Sequence, residues 1–130
     1  MSKIFDLVWS LTLSATIFFS IPSFADDELS KGKQLFQTKC AMCHTHIQGA
    51  SHSTGPNLFG VVGRNVGSAK GYNYSEAMAE RANEIWNFEM IDKFIKQPQK
   101  FIPRTAMMFT GISDASQRSQ LVEFLDSLKN

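Results

Sequence analysis

From about Leu7 to Ile21 the chain is apolar and carries no charge after Asp6. That stretch is near the lower limit for spanning a bilayer and is broken by Ser10, Thr12, Ser14, Thr16 and Ser20. It ends in Ser23-Phe24-Ala25, a small-x-small pattern suited to signal peptidase. With Lys3 ahead of it, the segment reads as an export leader cleaved after Ala25 rather than a retained membrane anchor. It has no twin-arginine pair, so the route is the general secretory one and the destination the bacterial periplasm. Asp26-Asp27-Glu28 then opens a different composition.

Beyond that point apolar positions recur at helical spacing in three places. Leu29, Leu35 and Phe36 mark one side of a first helix, from about Glu28 to Lys39. Phe88, Ile91, Phe94 and Ile95 mark a second, with Asn87 as its N-cap, running to Gln97 and ended by Pro98. Leu121, Val122, Phe124, Leu125 and Leu128 mark a last one, starting near Ser113 or Asp114. No strand pattern is convincing. Residues 45–75 are rich in Gly, Ser, Asn and Thr, with Gly55-Pro56-Asn57 and Gly71-Tyr72-Asn73 as turn signals. So long a structureless segment in a compact domain implies a function, and wrapping a planar cofactor is such a function. The fold class is all-α, with the first and last helices packing their apolar faces together, and residues 26–130 forming one domain.

Composition narrows the choice. The 13 Lys/Arg and 12 Asp/Glu leave a formal net charge of +1, and Lys3 and Asp6 cancel, so losing residues 1–25 does not alter it. A nucleic-acid partner would demand a basic patch or stripe, and none is present. A domain this small has a thin core, to which a large buried cofactor would add apolar contact.

The candidate chemistry sits at Cys40-Ala41-Met42-Cys43-His44, which holds both cysteines of the chain. C-x-x-C-H is the attachment signature of a c-type haem. Two thiols on one helical turn can add to vinyl groups on one edge of the porphyrin, and the next histidine can ligate the iron from one side. Three other chemistries fit less well. A thioredoxin-like pair belongs in a βαβ pattern. A zinc site would need a further Cys/His pair, and the other histidines, His46 and His52, have no partner at ligand spacing. A disulfide remains open in an exported protein. For the second iron ligand, Met107 and Met108 stand out, because they follow Ile102-Pro103 in an irregular loop between two helices. Met78 and Met90 read as packing residues. Spacing alone does not choose between Met107 and Met108.

The segments GKQLFQTKCAMCHT, TGPNLFGVVGR, GYNYSEA and QPQKFIPRTAMMFTGI occur in this order, with an Ile-Trp pair between the last two. From Gly32 to Leu128 the chain resembles class I c-type cytochromes of the mitochondrial type, including their alphaproteobacterial members. The resemblance implies the small cytochrome c fold, three main helices plus long loops wrapped around one covalently bound haem. It implies that Cys40 and Cys43 hold the haem c through thioethers, that His44 is the proximal ligand, and that the Pro56 carbonyl accepts a hydrogen bond from the other His44 nitrogen. It selects Met107 over Met108 as the distal ligand, because Phe109 and Gly111 fall in register. It assigns Arg64, Tyr74 and Trp86 to the buried propionate with help from Thr105, Leu58 to packing on the haem, and Gly32, Phe36, Leu121 and Phe124 to the helix crossing. Two ionised propionates would bring the holoprotein to about −1.

The departures from that family are specific. Phe94 replaces a tyrosine that bonds the methionine sulfur, which alters the potential. Arg104 replaces a glycine, and Met78 stands near a usual asparagine. One extra residue lies between Arg64 and Trp86. Gln34, Ser51, Ser53, Gln99, Ala106 and Ser113 fall where lysines ring the haem edge, and of that ring Lys39 and Lys100 remain. The resulting expectation is a monomeric, non-enzymatic periplasmic electron carrier with no small-molecule substrate. Its transient partners by resemblance are a bc1-type complex and a haem-copper oxidase or other periplasmic reductase. The alternative is a peroxidase-like or small-ligand-binding haem protein with a labile sixth position.

Overall fold

The computed structural model describes residues 24–129, so the expected leader, apart from its last two residues, lies outside the described residues. Among the described residues five helices follow one another: α1 (Phe24–Lys39), α2 (Glu76–Ala79), α3 (Phe88–Lys96), α4 (Pro98–Phe101) and α5 (Ala115–Ser127). Among the described residues there is no strand, only an isolated antiparallel bridge between Asn65 and Ile85. None of these helices is long and apolar enough to cross a membrane. The three long helices are those expected from the hydrophobic spacing. The single-turn helices α2 and α4 are too short to leave a periodic signal.

Helix α1 begins four residues earlier than the apolar pattern indicates and runs through the expected cleavage point. Asp26 and Asp27 in its first turn and Lys39 in its last suit the helix dipole. Its contact with α5 is set at Gly32, where a Cβ would lie 2.0 Å from the backbone oxygen of Gln120 and 2.8 Å from Phe124 Cβ. Only a residue without a side chain lets the two helices approach this closely. One turn later Phe36 is fully buried against Leu121 and Phe124, its ring 5.5 Å from that of Phe124. Leu29, expected in this face, is 38 % exposed and lines an open groove with His46, Phe124 and Leu128.

Helix α3 starts where expected, with Asn87 Oδ1 accepting the Met90 N–H at 2.8 Å, and it buries Met90, Ile91, Phe94 and Ile95. Pro98 does more than stop it. The backbone turns at Gln97 (φ −155°, ψ 81°), and Pro98, fully buried, becomes the first residue of α4. Its fixed φ and missing N–H suit that position. Helix α5 is capped by Asp114, whose Oδ1 accepts the Gln117 N–H at 2.9 Å. Arg118 on α5 is buried, which a pattern of apolar positions cannot reveal. Its guanidinium donates to Asp92 Oδ1 at 2.7 Å on α3 and to the carbonyls of Ile112 (3.1 Å) and Ser113 (2.7 Å), so one charged group fastens α3, α5 and the segment leading into α5.

Side chains bonded to backbone organise residues 45–75. Asn57 is buried; its Nδ2 donates to Ile47 O and Ala50 O, both at 2.8 Å, and its Oδ1 accepts the Phe59 N–H at 2.8 Å. The Asn57 N–H donates to His52 Nδ1 at 2.9 Å, so His52 Nε2 carries the proton and donates to Lys70 O, also at 2.9 Å. The 45–60 and 65–74 turns are thereby joined without a sheet. Beyond α4, Arg104 takes φ +68°, the left-handed region, and its guanidinium lies 3.9 Å from the exposed Glu80 carboxylate.

Two stability outcomes follow from these contacts. Gly32→Ala forces α1 and α5 apart and should cost about 3 kcal/mol in denaturant unfolding of the holoprotein. Arg104→Gly relieves a left-handed non-glycine residue and forfeits only a weak exposed ion pair, so unfolding should report a gain of about 0.5–1 kcal/mol.

Candidate functional site

The C-x-x-C-H segment continues α1 by one tight turn. The Cys40 N–H donates to Phe36 O at 2.8 Å, and the Cys43 and His44 N–H groups both donate to Cys40 O at 2.9 Å. Both thiols are free and partly buried. Burial pushes the Cys40 thiol up to about 11, with Lys39 opposing and Cys43 adding to the shift. A protonated, shielded thiol is the reverse of a redox dithiol, whose thiolate is stabilised at a helix N-terminus. A zinc reading also lacks ligands: among the described residues no group of three or more His, Cys, Asp or Glu comes together.

The chain then returns to this turn. The Gly55 N–H donates to Cys43 O at 2.7 Å and the Leu58 N–H to Thr45 O at 2.8 Å. Between them His44 Nδ1 meets the Pro56 carbonyl at 2.7 Å. A carbonyl can only accept, so Nδ1 carries the hydrogen and Nε2 presents its lone pair. Burial lowers the pKa of His44 and outweighs the Pro56 bond, which raises it, so the neutral, metal-binding form is favoured. A Cβ on Gly55 would lie 2.3 Å from His44 Cε1, which makes the backbone itself one wall of the imidazole slot.

A second group forms around the Asn65–Ile85 bridge. The Trp86 N–H donates to Arg64 O at 2.9 Å and the Gly63 N–H to Trp86 O at 2.8 Å, which brings Arg64 and Trp86 side by side. The Arg64 guanidinium donates to Phe59 O at 3.2 Å and Asn57 O at 3.1 Å, but its Nε is buried with no partner. Burial pulls the Arg64 pKa down, while the neighbouring Tyr74 raises it. Burial likewise raises the Tyr74 pKa, so its hydroxyl stays protonated; the oxygen accepts the Ala69 N–H at 3.2 Å and leaves the O–H available to donate. A buried, unsatisfied guanidinium N–H beside a phenol is costly unless a carboxylate completes it, and a haem propionate fits that need. Trp86 is buried with its ring 5.2 Å from Phe94.

The third group lies beyond α4. Thr105 is buried, and its Oγ1 accepts the Met107 N–H at 3.4 Å. The methionines separate by environment. Met78 and Met90 are buried, Met42 and Met108 are 84 % and 90 % exposed, and Met107 alone among those described is a partly buried loop residue packed on the core. Cys40, Leu58, Tyr74, Met107 and Phe109 all pack against the cluster that contains Trp86 and Phe94. The residues proposed for the site from the sequence are thus spread over these three groups. Asn57 and His52 shape the return to His44; in the sequence Asn57 marks only a turn and His52 only an unpaired histidine, and neither shows this role. Gln34, Ser51, Ser53, Gln99, Ala106 and Ser113 are exposed, as are Lys39 and Lys100.

The cytochrome c family model matches residues 29–129. Cytochrome c2 of Rhodopila globiformis is 42 % identical over 99 residues, covering 76 % of this chain and 92 % of its own length. Cytochrome c of Stellaria longipes is 39 % identical over 107 residues (82 % and 98 %), and that of Cochliobolus lunatus 38 % over 103 (79 % and 94 %). The family carries one covalently attached haem c, and Cys40 and Cys43 stand in its C-x-x-C-H position. With residues 29–129 matched, the chain belongs to the cytochrome c family of haem-based electron carriers.

Proposed function

We propose that the protein is a periplasmic one-electron carrier with His44 and Met107 as axial ligands of its haem. In this reading the leader is removed after Ala25, residues 26–130 form the carrier, and Cys40 and Cys43 hold the haem through thioethers. The haem supplies a ferrous–ferric couple, which a neutral imidazole and a thioether tune toward the reduced state. Pro56 holds the tautomer of His44. Arg64, Tyr74 and Trp86 receive a propionate, with Thr105 beside them. Leu58, Phe94 and Phe109 exclude water from the ring. Phe94 has no hydroxyl to offer the Met107 sulfur, so the thioether keeps its full donor strength.

The observation that carries this reading is the environment of Met107, a loop thioether drawn inward while Met108 beside it faces solvent. A closed iron suits a carrier. Partners are proposed to be a bc1-type donor and a haem-copper oxidase or other periplasmic reductase, docking transiently over the face that holds Gln99, Ala106 and Met108. Few lysines remain there, so encounter depends little on charge.

Ferric protein should show an Fe–S charge-transfer band that Met107→Ala abolishes and Met108→Ala retains. A high-spin ferric spectrum in the unaltered protein overturns the assignment and favours an open, peroxidase-like iron. In stopped-flow oxidation by a purified oxidase, the rate should fall less than about threefold between roughly 0.01 and 0.15 M salt. A steep fall would show that charge steering survives.

A further inference from the structure

Residues 106–111 carry the proposed distal ligand, yet the backbone does little to hold them. The Thr105 N–H donates to Ile102 O at 3.1 Å and the Ile112 N–H to Ile95 O at 2.9 Å; among the described residues, no backbone–backbone hydrogen bond involves 106–111. One side chain spans the gap. Gln99 Nε2 donates to Thr105 O at 2.8 Å and Met107 O at 3.2 Å, and the Met108 sulfur lies 3.8 Å from the same nitrogen. Gln99 itself stands on a firm base. Pro98 before it is fully buried and Ile102 after it is buried. Phe101 on the same turn packs 6.5 Å from Phe94 and lies under the Arg81 guanidinium at 4.7 Å.

We propose that Gln99 is a positioning residue for the distal ligand, its amide bracketing the carbonyls of Thr105 and Met107 so that the Met107 thioether stays directed inward. This rests on Met107 as the ligand. The bracket grips both sides of Ala106, and a carboxamide does it without introducing a cation. Its two hydrogens match the two carbonyls. Without it, two carbonyls would have to find water, and Met107 would be held by its own sulfur and by the long 3.4 Å bond to Thr105 Oγ1. An outside ligand competing for the iron would then meet a weaker opponent.

The test is imidazole titration of the ferric holoprotein, with the Fe–S band and midpoint potential recorded for the same samples. Gln99→Leu removes the donors without adding charge; it should bind imidazole about tenfold more tightly, the worth of the lost hydrogen bonds, with a weaker Fe–S band and a lower potential. Gln99→Glu places an acceptor against two carbonyls and should exceed that effect. Gln97→Leu, at an exposed position ahead of α4, should match the unaltered protein. If Gln99→Leu matches it too in imidazole affinity, band and potential, the proposal is overturned, even where thermal stability falls. An equal change in Gln97→Leu also overturns it, because any surface change nearby would then suffice. Absence of the Fe–S band from the unaltered protein removes the ligand assignment and the proposal together, and so separates the two failures.

Discussion

His44 and Pro56 meet at 2.7 Å, and the path of the chain from residue 45 to residue 60 is shaped by the need to make that contact. The imidazole leaves one turn beyond α1, so the backbone must come back to it within a dozen residues. Gly55 allows the return because any larger residue would strike the ring. Asn57 and His52 close the turn behind it, and the Gly55 N–H binds the Cys43 carbonyl while the Leu58 N–H binds that of Thr45, the residue after the motif. Fixing one nitrogen of the histidine fixes which nitrogen is left to give electrons. The fold and the chemistry share this contact.

Two buried polar side chains, Asn57 and Arg118, and a partly buried one, Arg64, show how differently the molecule treats polarity inside. Asn57 and Arg118 are given acceptors and donors from the chain itself, and both act as structural rivets. Arg64 is given two carbonyls and is left short at Nε. A protein that satisfies two such groups and leaves a third incomplete has a ligand to accommodate, and the charge of the guanidinium gives the sign that ligand should carry.

The sequence was informative in proportion to the regularity of what it encoded. Apolar residues at helical spacing located α1, α3 and α5, and Asn87 and Asp114 marked two helix starts to within a residue or so. Leu29 was misjudged because periodicity names a face and cannot say where a neighbouring helix stops covering it. Arg118 was invisible because its burial depends on three acceptors, one on α3 and two in the segment leading into α5. Cys40, Cys43 and His44 were legible as a motif whose spacing is itself chemical. The choice of Met107 over Met108 came from resemblance, and their burial separates them in the same direction. Gln99 stands out in the sequence only as a missing lysine, since what matters for the ligand loop is which carbonyls pass its amide.

The reliance of residues 45–75 on side-chain anchors has a consequence for how the chain can vary. A ladder of backbone bonds accepts many residue types, because every peptide unit offers the same groups. Here the shape is written in identities: a carboxamide at 57, an imidazole at 52, and a phenol at 72 that donates to Thr54 O at 2.7 Å. Replacement by a residue of similar size but different donors removes the joint. This irregular stretch is therefore the part with the least freedom to drift, and the helices, with their exposed charged faces, carry most of the tolerance.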